Sequence, residues 1–327
     1  MKKIGITMGD PSGVGPEIVL KSYAKHGNIF DSIQPVVFGH AEILKNTARI
    51  LGISVQVEQI SDPKQIPEHR SGHIYCYAES DLKEVPVIGK TNPYSGELAF
   101  EYIRISIDLA NKGIIDAVAT APINKDALKM AKVPYLDHTA MYTSLTNSSN
   151  TMTLFMTGSL RVFFLTRHIS LKEVAAAINI EQTVSALSFC QNYLHQLGLS
   201  NPSVALAALN PHASDQGLFG TEERDVLIPA VEQARTSGIN AIGPVPADSV
   251  FHLAKEGNYD AVLSLYHDQG HIAAKTLDFY GTVSLTMGLP FLRTSVDHGT
   301  ANEIAGKNQA NEKSMVEAIK SAAQFAW

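Results

Sequence analysis

Short runs of β-branched and apolar residues alternate along the chain with longer stretches of mixed character. The runs at 4–8, 36–39, 117–120, 151–156, 161–166, 204–209, 261–266 and 283–286 predict strands. The stretches at 16–26, 41–51, 95–112, 171–178, 181–197, 222–237 and 311–325 predict helices. Such alternation predicts an α/β layer fold with a mostly parallel sheet. Two of the strand runs flank Thr157-Gly158-Ser159 and predict a hairpin, so part of the sheet should be antiparallel. No 20–50-residue repeat and no low-complexity tract interrupts the pattern.

Length and charge narrow the picture. At roughly 150 residues per domain, 327 residues suggest two domains. The expected boundary lies near 133–150, where Val133-Pro134 precedes a polar stretch at 146–150. No Pro/Gly/Ser-rich linker stands out, so the domains are expected to share a sheet or exchange segments. Lys+Arg total 26 against 32 Asp+Glu, a net charge of −6, which argues against nucleic acid as a partner. A hydrophobic content of 45% with 18% charged residues excludes a disordered chain. Cys76 and Cys190 stand far apart, which suits neither a disulfide framework nor a thiolate zinc site. The N-terminus lacks the apolar core of a signal peptide, and no window is apolar for about 18 residues. The expectation is a soluble, cytoplasmic protein with no membrane partner.

Five motifs carry candidate chemistry. Met8-Gly9-Asp10-Pro11-Ser12-Gly13-Val14-Gly15-Pro16-Glu17 follows the first strand. Its glycines allow a tight turn and close approach to a ligand, but it is neither a Walker loop nor a complete dinucleotide fingerprint. A plain strand–helix turn with Pro16 at the first helical position competes equally. His168, His212 and His267 each follow a strand run, in a polar turn. Three imidazoles suit a divalent transition ion with open positions for substrate, with Asp268 or Gln269 able to orient a ring. Asp137-His138-Thr139 offers a titrating ring and a hydroxyl at a helix start, against the simpler reading of Asp137 as an N-cap. Lys275, Ser284 and Arg293 supply anion-binding and polar groups, and the apolar neighbours of Arg293 argue against a solvated surface charge. The loop from Ser295 through Asp297-His298-Gly299-Thr300 to Asn311 could bracket an adenine and ribose.

Together these motifs resemble those of the 4-hydroxythreonine-4-phosphate dehydrogenase family. The matching pieces are 9–17, 119–125 (Ala-Thr-Ala-Pro-Ile-Asn-Lys), 137–139, 210–213, 246–249, 266–270, 288–295 and 297–301. They run in order over nearly the whole chain. The resemblance implies an isocitrate/isopropylmalate dehydrogenase-like α/β fold, with two α/β/α domains around a central cleft and a mixed sheet. Residues 1–140 plus about 290–327 would form the first domain; about 141–289 would form the second, with the dimer interface. It further implies a homodimer with a shared active site, NAD, and a divalent metal (zinc, or magnesium, manganese or cobalt).

Residue by residue, His168, His212 and His267 match the metal ligands, drawn in the family from both subunits. His138, Thr139, Lys275 and Arg293 match substrate-binding residues, and Ser284 stands where biosynthetic members have Asn. Ala140 stands where most members have Glu. His298, Gly299, Thr300 and Asn311 fall in the cofactor loop; the absence of an Arg or Lys pair, Lys307 aside, favours NAD over NADP. Asp248 or Lys275 is the expected base. The implied reaction is oxidation of a phosphorylated four-carbon hydroxy acid with loss of CO₂. Ser284 and Ala140 favour D-threonate or D-erythronate 4-phosphate over the 4-phosphohydroxy-L-threonine of pyridoxal phosphate synthesis. Branches acting on cyclic cis-diol carboxylates also belong to the family. A metal-dependent phosphatase or other hydrolase is the alternative from another class.

Overall fold

Strand β1 (Lys2–Thr7) buries its last four positions, and the turn behind it opens helix α1 (Gly15–Lys25), with Pro16 in its first turn. The computed structural model describes residues 1–327. Onward run β2 (Ile33–Phe38), α2 (Ala41–Leu51), β3 (Gln56–Gln59), β4 (His73–Tyr77), α3 (Pro93–Asn111), β5 (Ala117–Thr120), α4 (Lys125–Met130) and α5 (His138–Leu145). Local chemistry sets several ends. Gly52 closes α2 at φ 67°, a conformation cheap only for glycine. The Asn92 side chain accepts from Ser95 N ahead of Pro93, starting α3.

The chain divides into two compact units. Unit 1 comprises Met1–Thr151 and Val283–Trp327, and unit 2 is Met152–Thr282. Unit 2 holds β6 (Met152–Thr157), β7 (Leu160–Phe164), α6 (Leu171–Ala177), α7 (Ile180–Gln196), β8 (Val204–Ala207), α8 (Ile228–Thr236), β9 (Ala241–Val245), α9 (Ala247–Lys255), β10 (Ala261–Ser264) and α10 (His267–Leu277). The chain then returns to unit 1 through β11 (Val283–Met287), β12 (Leu292–Val296) and α11 (Lys313–Phe325). These crossings differ from the 140/141 and 289/290 anticipated. Helix α5 stays with unit 1 because Tyr142 is buried and bonds Ser106 of α3, and β11 stays because it pairs with β12.

In unit 1 the strand order is β3-β4-β2-β1-β5-β12-β11, parallel except for the antiparallel β11–β12 pair. In unit 2 the order is β6-β7-β10-β8-β9, with β6–β7 the expected antiparallel hairpin and the rest parallel. The sheet is therefore mixed, as the sequence predicts. Its unit 2 core gathers Phe155, Val162, Phe164, Ala205, Val250 and Val262. The helix expected at 222–237 is interrupted: a wider π-turn occupies Glu223–Leu227 before α8. Pro229 has no N–H for the regular ladder there. No helix is long and apolar enough to cross a membrane.

Candidate functional site

Within each unit, parallel strands release their loops at one edge, and several of the expected site residues follow such strands. In unit 1 the turn after β1, the segment after β5 and the loop after β12 leave from neighbouring strands. They lock together: Asp10 N donates to Pro122 O (2.9 Å) and Val14 N to Thr300 O (2.9 Å). A Cβ on Gly13 would stand 2.7 Å from the Thr300 Cβ, so only glycine lets the turn and the loop meet. Asn302 Nδ2 and Asn124 Nδ2 both donate to Thr91 Oγ1, at 3.1 and 3.2 Å. Asp10 is fully buried, and burial pushes its carboxyl above the usual range. His298 Nδ1 lies 2.9 Å from Gly299 O, while its Nε2 is buried without a partner, as is Asn302 Oδ1. Of the expected cofactor residues, Thr300 is buried and Gly299 and Asn311 are exposed.

The strongest electrostatic feature is Arg293 on β12, 3% exposed. Register sets its surroundings. Arg293 pairs with Thr286 and Val118, and alternation brings Ser284, Thr286, Ser295 and Thr120 onto its face of the sheet. The guanidinium donates to Thr286 Oγ1 and Thr120 Oγ1, both at 2.9 Å, and lies 5.2 Å from the Tyr142 ring centroid. Its hydrogen bonds thus run to neutral hydroxyls rather than to a carboxylate, and its Nε is buried without a partner. Burial lowers its pKa to about 10, still leaving it charged at neutral pH. Tyr142 is pushed up to about 12 by burial, against the opposing pull of Arg293, and its hydroxyl meets Ser106 Oγ at 2.6 Å.

His138 and Thr139 begin α5. Asp137 does cap that helix, its Oδ1 accepting from Ala140 N at 2.9 Å, so the cap and the candidate ligand coexist. Burial, then the nearby Arg293 cation, hold His138 well below the ordinary histidine range. The ring is neutral at neutral pH, with a buried Nε2 that has no partner. A buried cation and an unpartnered imidazole nitrogen form a site complementary to an anion bearing hydroxyl groups.

In unit 2 the three histidines follow β7, β8 and β10, neighbouring parallel strands. His168 and His267 face one another with ring centroids 6.1 Å apart, in a cleft of about 490 Å³ lined also by Arg167, Tyr266 and Asp268. His267 Nδ1 lies 2.6 Å from Asp268 Oδ1, which leaves Nε2 free to meet an ion. Behind it, the His271 ring stacks on His267 at 3.7 Å and packs against Phe155 and Phe164. His212 is not part of this pair: within one chain, no group of three His, Cys, Asp or Glu side chains is close enough to hold an ion.

His212 instead opens a run of five left-handed residues, with φ between 45° and 67° through Gln216. Such a run costs about 1 kcal/mol or more per residue and must be held from outside. Glu223, 1% exposed, holds its base: Oε1 accepts from Leu209 N and Asn210 N at 2.8 Å, and Oε2 from Asn210 Nδ2 at 2.9 Å. Lys275 lies on the His267–His271 side of α10, its Nζ 5.3 Å from the Phe279 ring centroid. Asp248 is exposed in the first turn of α9. A larger cleft of about 720 Å³, around His40, Tyr77 and Glu79 of unit 1, contains none of the expected residues.

Sequence reasoning missed Thr120, Thr286, Tyr142, His271 and Glu223. Thr120 lies within the quoted 119–125 motif and His271 directly after 266–270, but the roles of the hydroxyls depend on strand register.

Comparison with known proteins gives this arrangement its context. The family model described as pyridoxal phosphate biosynthetic protein PdxA matches residues 31–322. A protein of Halalkalibacterium halodurans named "Putative D-threonate 4-phosphate dehydrogenase" is 47% identical over 324 residues, covering 99% of this chain and 96% of its own. One of the same name from Symbiobacterium thermophilum is 44% identical, with the same coverage of both chains. The crystal structure of 4-hydroxythreonine-4-phosphate dehydrogenase from Klebsiella pneumoniae superposes with a TM-score of 0.90 at 37% identity, over 100% of both chains. These relatives set aside the hydrolase alternative. The chain belongs to the PdxA family and is a dehydrogenase, an oxidoreductase.

Proposed function

We propose that the protein oxidises D-threonate 4-phosphate, or a closely similar phosphorylated four-carbon hydroxy acid, with NAD and a divalent metal ion, and with loss of CO₂. The observation that carries this reading is Arg293, a buried guanidinium bonded only to hydroxyls. A buried charge with no carboxylate bonded to it is costly, even with Asp137 exerting a favourable field, so the site is built for a ligand that brings the counter-charge. A terminal phosphate supplies it. The names of the relatives support the four-carbon acid.

The donor chemistry of unit 2 suits a divalent ion. His168 and His267 stand side by side, and Asp268 orients one ring. One chain gathers only these two. His212 of a second copy would complete the set, in keeping with a homodimer whose active site is shared. Exposed Leu171, Leu218, Ile272 and Phe279 in unit 2 give such a dimer apolar surface to cover. In unit 1 the turn at Gly9–Gly15, His298, Gly299, Thr300, Asn302 and Asn311 would hold NAD, with partnerless buried atoms on His298 and Asn302 as the fitting observation.

When bound, NAD accepts a hydride and the metal ion polarises substrate oxygens. The protein's own groups do the rest. Arg293 binds the phosphate, with Thr120 and Thr286 fixing its fork. His138, kept neutral, offers Nε2 to a substrate hydroxyl, and Thr139 adds a second polar contact. Ser284, on the Arg293 face, orients the carbon chain. Lys275 is favoured over the exposed Asp248 to hold the proton leaving the substrate hydroxyl, because it is half-buried on the His267 side of α10. Oxidation at C3 places the new ketone β to the carboxylate, the arrangement that loses CO₂. Ala140 leaves no carboxylate beside His138 to receive a substrate ammonium, which favours the hydroxy acid over the amino acid.

The test is kcat/KM with NAD and a divalent metal for D-threonate 4-phosphate, D-erythronate 4-phosphate and 4-phosphohydroxy-L-threonine. Either acid-sugar phosphate should lead. A clear lead for 4-phosphohydroxy-L-threonine would restore the vitamin-synthesis reading. No NAD reduction with any of them would overturn the proposal.

A further inference from the structure

Helix α1 carries a buried ion pair that the chemistry above does not use. Glu17 is 0% exposed and Lys21 2%, one turn apart on the same face, with Lys21 Nζ 2.8 Å from Glu17 Oε1. The remaining bonds of the pair all run to main-chain groups of one segment. Glu17 Oε1 accepts from Ala310 N at 3.0 Å and Glu17 Oε2 from Gly306 N at 3.1 Å. Lys21 Nζ donates to Ala310 O at 2.7 Å. Three hydrogen bonds thus link two adjacent helical turns to a stretch 289 to 293 residues away in sequence.

That stretch has little internal support. Between β12 and α11 the backbone forms turns rather than regular structure, with Ala301, Gly306 and Asn308 in left-handed conformations at φ 40°, 72° and 61°. Its near end is held by Val14 N on Thr300 O, from the residue just before α1. Its far end is held by Glu17 and Lys21. The stretch from Val14 to Lys21 therefore braces both ends of the loop. A buried ion pair is a poor source of stability, since apolar side chains of similar size are often as good or better. What this pair supplies, and apolar residues would not, is a set of matched partners for a main chain that makes no ladder of its own.

We propose that Glu17 and Lys21 are positioning residues: they fix the 298–311 loop in its ligand-ready conformation, so that a pair with no contact to the cofactor sets cofactor affinity. This rests on the reading of that loop as the NAD site.

The full-length enzyme is compared with Glu17→Leu/Lys21→Met, which replaces the pair by apolar groups, and with Lys21→Arg, which keeps the charge. His298→Ala tests the loop's assignment separately. NADH binding is followed by fluorescence titration, amide exchange at 306 and 310 by mass spectrometry, and steady-state kinetics with NAD varied. In the double variant, exchange at 306 and 310 should rise and the NADH Kd and KM for NAD should rise about tenfold, the cost of ordering a loosened loop. kcat at saturating NAD should stay within about twofold, and Tm within a few degrees, because the apolar swap removes the charges together. Lys21→Arg should recover most of the affinity. If His298→Ala weakens NADH binding while the double variant binds it as the parent does, the positioning role is wrong and the cofactor site stands. If His298→Ala leaves NADH binding unchanged, the loop is not the cofactor site and the proposal falls with that reading.

Discussion

The two units present their chemistry in opposite ways. Unit 1 hides it: Arg293, Asp10, Glu17 and Lys21 are each 3% exposed or less, and their places are set by strand register and helix spacing. Unit 2 displays it: His267 is exposed at 41% of its side chain and Asp268 at 71%, beside exposed Ile169 and Leu171. The difference is one of completeness. A buried cation between two hydroxyls is a finished anion site that needs only its ligand. A pair of facing histidines at the rim of an open cleft supplies two of the three ligands that the proposed metal site needs. Preorganisation within one chain belongs to unit 1; under the proposed function, unit 2 would be completed by a second copy.

The largest expected effect breaks the unit 2 side. His168→Ala or His267→Ala should remove most bound metal, measured by elemental analysis, and lower kcat/KM by roughly 100-fold or more. NADH binding in unit 1 should be unchanged. Full metal occupancy in either variant would remove the histidines from the site.

Breaking the unit 1 side should separate function from stability. Arg293→Met should lower kcat/KM for the phosphorylated substrate by roughly ten- to 100-fold, the worth of a charge-assisted contact. Its Tm should equal or exceed that of the parent, because a buried charge bonded to no carboxylate has been removed. A large fall in Tm would mean that Arg293 is structural.

The contrast also marks what the sequence discloses. Glycine turns, the hairpin at Gly158 and the three histidine loops lie beside strong local signals, and all were legible. Strands β3 and β4 were not, because Gln-Val-Glu-Gln and His-Ile-Tyr-Cys-Tyr lack clear bounding turns. Strand β9 contains Gly243-Pro244, which reads as a turn and is tolerated because β9 is an edge strand of unit 2. Helix α10 opens with His-Asp-Gln-Gly and no capping side chain, so its start resembled a polar loop. Arg293 was suspected from its apolar neighbours, but Thr120 and Thr286 meet it only through the pairing of β5, β12 and β11. Glu17 was seen as the end of the glycine turn; its partners lie 289 and 293 residues away. The left-handed run after His212 had no signal, since none of its residues is glycine.

That run offers a finer test of unit 2. Glu223→Gln keeps the shape but weakens the anchor on Leu209 and Asn210. Metal affinity should fall by about tenfold, the usual effect of a supporting residue. Cofactor binding should not change; equal metal affinity would show that His212 needs no such support.

The smallest effect sharpens unit 1. Burial, followed by Arg293, lowers the His138 pKa in the folded protein below its unfolded value near 6.5. Below that pH the unfolded chain binds the additional proton, so stability falls as pH drops from 6.5 toward the folded pKa. His138→Gln should flatten this part of the Tm–pH curve. The His138 ring signals in NMR should remain those of neutral imidazole well below pH 6.5, and an ordinary titration near 6.5 would contradict the buried, cation-flanked site.

The central claim is that Arg293 awaits the phosphate of a four-carbon acid. The direct measurement is the ratio of kcat/KM for D-threonate 4-phosphate to that for unphosphorylated D-threonate, in the parent and in Arg293→Met. The account predicts a strong preference for the phosphorylated acid in the parent, shrinking by roughly ten- to 100-fold in the variant. An unchanged ratio, with both substrates weakened alike, would show that Arg293 binds something other than the phosphate.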